Sequence, residues 1–317
     1  MKSRRLLLFT TDCLLPSAFR LLPTAFLGVK LRIAVTGASG LFGHGLVQIL
    51  GSRHAVAALT HADVDITNAE QVREALAGLR PDVVIHSAAI RDPDTAEINP
   101  ARAFQVNFHG TRNVAEAARA VNAKVVYISS DAVFDGKQQR PYTETDPTIP
   151  ASVYGRTKLR AEQWVRATPE SWAFRVSILF GPEEPGRMPE NFIRKGLRKL
   201  AAGEEYVVAA DQLGTATYTL DAAAKIMEVV ESARYGLYHL ANAGACTRLE
   251  LARRSAALAG LDPGKVLGRP LAEMGRPGPR LQYAVMAMDA LQHAGFALPR
   301  PWQDALAEYV KRTMNYE

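Results

Sequence analysis

From Leu31 onward the chain alternates short apolar runs with longer stretches in which apolar residues recur at helical spacing. LRIAVTG, which ends at Gly37, has the apolar continuity of a buried strand. A helical pattern follows over residues 42–51, and AVAALT, from Ala55, reads as a second strand. DITNAEQVREALAGLR holds a helix that Thr67 or Asn68 would cap. Pro81 and Asp82 lead into a third strand, VVIHSAA. Residues 101–122 predict one long helix, and KVVYISS a fourth strand. A loop rich in Gly, Pro, Thr and Asp spans 131–150, a helix 154–167, and WAFRVSILFG reads as a fifth strand.

Repeated strand–helix–strand units without hairpin turns predict an α/β fold, a Rossmann-type doubly wound parallel sheet. Beyond Gly181 the alternation becomes irregular, with Pro182, Pro185 and Pro189 punctuating it. Helices near 191–202, 221–232 and 248–260 mix with short strands such as YVVAA and GLYHL, which predicts a smaller C-terminal α/β substrate lobe. The expected division is an extension over 1–28, a dinucleotide-binding domain over 29–180 and a substrate lobe over 181–317 that interleaves with the sheet. Residues 1–28 begin basic and then apolar, but Asp12 and Arg20 interrupt the run and no clean cleavage site follows. The segment reads as a disordered extension or the product of an upstream start codon.

Composition narrows the class. The 317 residues are 48% hydrophobic and 22% charged, as in ordinary globular proteins. The net charge of +6 is scattered apart from Lys2, Arg4, Arg5, Arg20, Lys30 and Arg32, so no basic block points to nucleic acid. No apolar run is long enough to span a membrane. Cys13 and Cys246 form no CxxC, which suggests neither a disulfide framework nor a zinc site. A reducing cytoplasm fits. The seven histidines are dispersed, and carboxylates such as Glu183 and Glu184 read as solvated, so no metal site is expected. A homodimer stays open, since the sequence does not show the oligomeric state.

Two constellations carry chemistry. In TGASGLFG, Gly37, Gly40 and Gly43 fall between the first strand and first helix. They suit a tight turn, close approach of a pyrophosphate and close helix–sheet packing, with the helix N-terminus facing the phosphates. The second strand ends at Thr60 and His61, without the acid that grips a ribose 2′-hydroxyl in NAD-selective sites. That leans towards NADP, with NAD or dual use open. Asp65 and Ile66 are placed to meet the adenine, although Asp65 also suits the start of a helix. Ser87, Ala88 and Ala89 end the third strand, small enough for backbone to pass near the cofactor ribose or simply for a tight turn.

Tyr154 and Lys158 lie four apart on a helical pattern, hence on one face. A free tyrosine has a pKa near ~10, and a neighbouring ammonium lowers it. Tyr154 can then give a proton to a carbonyl oxygen as hydride reaches the carbon. Lys158 can also hold the nicotinamide ribose, and Ser130 can hydrogen-bond the same carbonyl oxygen. Asn107, inside the long predicted helix, either holds backbone or a water near Lys158 or is an ordinary polar residue.

Together these residues resemble the extended short-chain dehydrogenase/reductase superfamily over nearly everything from Leu31. ISSDAVFDG, ETDPTIPASVYGRTKLRAE, FRVSILFG, ENF and DQLGTAT narrow the resemblance to the dTDP-4-dehydrorhamnose reductases. That resemblance implies reduction of a 4-keto sugar nucleotide, a dTDP-sugar, with Tyr154 as proton donor, Lys158 as its partner and Ser130 where threonine is usual. It puts Asp131 at a sugar-nucleotide contact, Gly40, Leu41 and Phe42 on the pyrophosphate segment, and Ala89, Ile90 and Arg91 on the ribose-side loop. The chain departs from the family on the substrate side. Ala132 replaces an aromatic, Ile178 a tryptophan packed against substrate, and Ala216 a proline. The RPxNSxLD pattern is blurred, although Arg276, Pro277 and Pro279 remain. A second resemblance, through HSAA, YISSDAVFDG, YGRTKL and SILFG, is to the regulatory beta subunit of methionine adenosyltransferase, which binds NADP as a partner protein. Another epimerase or reductase of nucleotide sugars is the remaining alternative.

Overall fold

The computed structural model describes residues 28–183 and 190–314. The expectations for 1–27, and those resting on Cys13, Glu184, Pro185 and Pro189, lie outside the described residues.

Strand β1 (Arg32–Thr36), helix α1 (Leu41–Leu50), β2 (Ala55–Leu59), α2 (Ala69–Leu79) and β3 (Val83–His86) alternate as the pattern predicts. Short helices α3 (Pro93–Ile98) and α4 (Pro100–Phe104) lead through a π-helical turn, Gln105–Gly110, into α5 (Thr111–Ala120). Then come β4 (Lys124–Ser130), α6 (Val153–Arg166) and β5 (Ser171–Val176). After β6 (Ile178–Phe180), α7 (Phe192–Ala201), β7 (Tyr206–Ala209), β8 (Leu213–Gly214) and β9 (Ala216–Tyr218), the chain returns through α8 (Thr219–Glu231) to β10 (Gly236–His239). The remainder is β11 (Cys246–Thr247), α9 (Arg248–Leu258), β12 (Val266–Arg269), β13 (Tyr283–Ala284), α10 (Asp289–His293) and α11 (Trp302–Met314).

The main sheet is parallel throughout, in the order β10-β5-β4-β3-β1-β2. Successive residues of β1 serve opposite faces, as strand geometry requires. Ile33 and Val35 pack with Leu46, Leu50, Ile226 and Val230 of α1 and α8. Ala34 packs with Leu76, Val114 and Val165 of α2, α5 and α6. Helices on both faces make the sheet doubly wound, and the strand order reverses between β1 and β3, where such sheets open a crevice at their carboxyl ends.

Three smaller sheets, β11-β8-β13, β12-β7 and β6-β9, build the second lobe. Phe180, Tyr218, Leu251, Leu306 and Tyr309 form its core. GLYHL, expected in that lobe, instead supplies β10, the edge of the main sheet beside β5. Tyr238 and the apolar face of α8 join the main core.

Two elements differ from the sequence reading for visible reasons. The long helix over 101–122 is interrupted by the π turn, within which the Thr111 hydroxyl donates to the Asn107 carbonyl at 2.6 Å. The expected fifth strand breaks at Ser177: β6 leaves the main sheet and pairs with β9, and Ile178 N–H donates to Thr215 O at 3.1 Å.

At the reversal point the loops after β1 and β3 nearly touch. Gly37 has φ of +72°, and a Cβ there would sit 2.6 Å from Ala88 N. A Cβ on Gly43 would run into Gly37 O. Gly37→Ala therefore meets both left-handed backbone strain and a backbone clash. It should lose about 1–3 kcal/mol of unfolding free energy, measured by urea denaturation; a variant as stable as the wild type would show that the two loops separate at little cost.

Candidate active site

A cleft of about 390 Å³ opens at the reversal point, within the range of cofactor sites. One wall is Gly37, Gly40, Leu41, Phe42 and Gly43, together with Ser39. Opposite lie Ser87, Ala88, Ala89, Ile90 and Arg91; Tyr154 and Lys158 close one end, and Leu59, Thr60, His61, Asp65 and Ile66 the other. Helix α1 begins after Gly40 with no side-chain cap and no acidic residue in its first turn. Its N-terminal amides and dipole are thus directed at an anion. A glycine cradle beside uncapped amides fits a dinucleotide pyrophosphate.

The adenosine end bears on cofactor choice. Asp63, the nearest acid beyond β2, turns back and accepts from Thr60 N (2.8 Å) and Thr60 Oγ1 (2.6 Å), and these bonds hold its carboxyl below the usual range. Asp65 lines the cleft but also opens the turn before α2: its Oδ1 accepts Thr67 N–H and O–H, each at 2.9 Å. The capping of α2 itself falls to Asn68. His61 and Arg102 lie close enough to pull the Asp65 carboxyl down by their charge, behind its bonds to Thr67. Arg102 is a cleft residue that sequence reasoning missed, because nothing in a predicted helix marks which turn faces a ligand.

Asn107 does not line the cleft; it holds the wall in place. Its Oδ1 accepts Ile90 N–H (2.7 Å), and its Nδ2 donates to Ile90 O (3.0 Å) and Thr157 Oγ1 (3.0 Å). Of the two readings the sequence left open, backbone holding is the one present. Beneath it, Thr111 spends its proton on Asn107 O, so His86 Nε2 carries the hydrogen and donates to Thr111 (2.9 Å), while Thr36 donates to Nδ1 (2.6 Å). Burial takes His86 down to about 3, so the column is neutral.

At the reactive end, α6 starts on Ser152, whose Oγ accepts Gly155 N–H, and on Glu97, which accepts Val153 N–H at 2.6 Å. These caps fix Tyr154, half-buried against Ala96, Ala103 and Val153. Lys158 is 4% exposed; its Nζ donates to Ile128 O at 2.6 Å and lies 4.3 Å from the centre of the Tyr127 ring. Burial brings Lys158 down to about 7 and drives Tyr154 up to about 12. The groups that oppose the rise at Tyr154 are the Ser130 hydroxyl and Arg91. Lys158 is not among the groups that lower Tyr154; its ammonium is directed at Ile128 O and the Tyr127 ring.

Ser130 also differs from expectation. Its proton goes to Asp131 Oδ1 (2.9 Å) and its oxygen accepts Ala132 N–H (3.2 Å), so it must turn to serve a carbonyl oxygen. Asp131 accepts in addition from Ser177 Oγ at 2.5 Å, and burial raises its carboxyl. Ile178 lies in the core of the second lobe, 7% exposed, rather than on the cleft wall. Glu183 is not solvated: its side chain is 3% exposed and bonded to Asn191 N–H, with Arg194 at 3.8 Å. Among the described residues no cluster of His, Cys, Asp or Glu could hold a metal ion, and no helix is long and apolar enough to cross a membrane.

The geometry matches known proteins closely. A family model described as the RmlD substrate binding domain matches residues 31–315. The dTDP-4-dehydrorhamnose reductase of Mycolicibacterium smegmatis is 37% identical over 284 residues, 88% of this chain and 85% of that protein. A probable dTDP-4,6-dihydroxy-2-methyloxan-3-one 4-ketoreductase of Streptomyces antibioticus is 38% identical over 282 residues, 88% of this chain and 94% of its own. The crystal structure of dTDP-4-dehydrorhamnose reductase from Bacillus anthracis in complex with NADP superposes with a TM-score of 0.85 at 32% identity, covering 89% of this chain and 99% of that one.

If Tyr154 is the proton donor, Tyr154→Phe should lower kcat by about 10²–10⁴-fold and leave NADPH affinity nearly unchanged in a fluorescence titration. Full turnover in that variant would remove Tyr154 from the reaction.

Proposed function

The chain belongs to the RmlD substrate-binding family, and from that premise we infer an NADPH-dependent oxidoreductase that reduces the 4-keto group of a dTDP-linked 6-deoxy sugar, as dTDP-4-dehydrorhamnose reductase does in forming dTDP-L-rhamnose. The observation that carries this is similarity along nearly the whole chain to reductases of that kind, joined to a cleft whose ends are a phosphate cradle and a tyrosine–lysine pair.

Residues 37–43 would hold the pyrophosphate on α1 amides, and Lys158 the nicotinamide ribose. When bound, a reduced nicotinamide supplies the hydride. Tyr154 delivers the proton to the substrate oxygen, and its high pKa keeps that proton in place across the neutral range. Ser130, released from Asp131, would share the oxygen. His61 and Arg102 would meet a ribose 2′-phosphate, with Asp63 turned away on Thr60.

Substrate choice is a separate matter. Relatives at 36–38% identity carry names for different dTDP-keto sugars. Ala132 and Ala216 depart from the family pattern on the substrate side, where the sugar rather than the 4-keto reduction would be selected. We place the substrate lobe mainly beyond residue 181 and the protein in the cytoplasm.

The deciding assay follows NADPH oxidation with enzymatically generated dTDP-4-dehydro-L-rhamnose. Steady oxidation with sugar product is expected; tight NADPH binding without oxidation would favour a regulatory subunit. Arg102→Ala should raise the KM for NADPH about tenfold and that for NADH little. An unchanged ratio of the two would remove Arg102 from 2′-phosphate recognition.

A further inference from the structure

Tyr154, Lys158 and Glu162 repeat at four-residue spacing along α6, so they share one face of the helix. The first two belong to the reaction read above. Glu162 does not, yet it is 1% exposed, and its partner Arg175 on β5 is 2% exposed. Arg175 grips the carboxylate as a fork: Nη2 donates to Oε1 at 2.6 Å and Nε to Oε2 at 2.9 Å. Ser129 Oγ donates to the same Oε2 at 2.7 Å. Beyond the fork, Arg175 Nη1 meets His239 Nε2 at 3.3 Å. Arginine only donates, so Nε2 accepts, and Nδ1–H donates to Ala287 O at 2.8 Å. The Phe134 ring lies 5.0 Å from the same guanidinium.

A pair held this completely is a weak source of stability, because desolvating two charges offsets their attraction. Its location suggests another use. Several groups surround the Lys158 ammonium. Glu162 comes from its own helix, and the Tyr127 ring from β4. Neutral His86 comes from β3, and Arg175 from β5 acts through Glu162. Glu162 is the one anion of this set.

We propose that Glu162 is a positioning residue: its carboxylate, locked by Arg175 and Ser129, keeps the Lys158 ammonium charged and seated on Ile128 O. The inference rests on reading Tyr154 and Lys158 as the reacting pair. Burial already draws Lys158 down to about 7, with Glu162 pulling the other way. The sign follows: Lys158 loses its charge as pH rises through its pKa. Removing the carboxylate moves that loss to lower pH, and removing the guanidinium moves it to higher pH.

The test is NADPH affinity of the full chain, by fluorescence titration from about pH 5 to about pH 10, with kcat/KM over the same range. Wild-type affinity should fall along an alkaline limb. Glu162→Gln should shift that limb down by about one pH unit, Arg175→Gln should shift it up, and Glu162→Asp should keep it near the wild-type position. A merely loosened core would not move the limb in opposite directions. If one variant fails to fold, the direction of the other decides. A wild-type protein with no limb overturns the role of Lys158, and this inference with it. A wild-type limb that the variants leave in place, or shift the same way, overturns the role of Glu162 alone.

Discussion

Lys158 carries an ammonium into the protein interior, and most of the site's construction follows from satisfying it. An unpaired charge at such depth would cost several kcal/mol. The Ile128 carbonyl, one residue past the last pairing of β4 with β3, takes one hydrogen, and the face of the Tyr127 ring receives the cation. For the lysine to reach both, α6 must lie flat on β4 in one register. Its start is therefore pinned twice, by Ser152 and by Glu97 of α3. Those same pins orient Tyr154 one turn earlier. Tyr154 is placed largely as a by-product of holding the lysine.

How much of this was legible depended on how local each signal is. Gly37, Gly40 and Gly43 announce themselves because turn conformation and close packing are written in the residue type. Tyr154 and Lys158 are readable because helical spacing puts them on one face. Asn107 is different: its task is to bond both backbone groups of Ile90, seventeen residues earlier, and no periodicity encodes that. The π turn that aims it lies inside a stretch whose pattern is helical throughout. Glu183 differs from the sequence reading for a related reason: its partners, Asn191 and Arg194, reach it only through the fold of the second lobe.

The two ends of the cleft differ in how they tolerate change. The phosphate cradle is built from backbone: amides of α1, the glycine turn and the Ile90 loop. A side chain added at Gly37 or Gly43 meets main chain there. The departures from the family pattern lie off that wall: Ile178 and Ala216 are buried in the core of the second lobe, and Ala132 follows just after β4. Such a division lets one reductive chemistry persist while the sugar it serves changes.

The return of the chain to the main sheet has a consequence for how the protein is made. Among the described residues the edge beside β5 is covered by Gly236–His239, and the buried Trp172 on β5 bonds the carbonyl of Arg234. A ribosome that has released the first five strands has therefore delivered a sheet with an open, apolar edge. Closure waits until the chain from Ser177 to β10 has emerged, α8 included. During that interval the growing chain presents the kind of unpaired strand that invites mispairing, so the order of synthesis exposes the layer to aggregation before it can bind a cofactor.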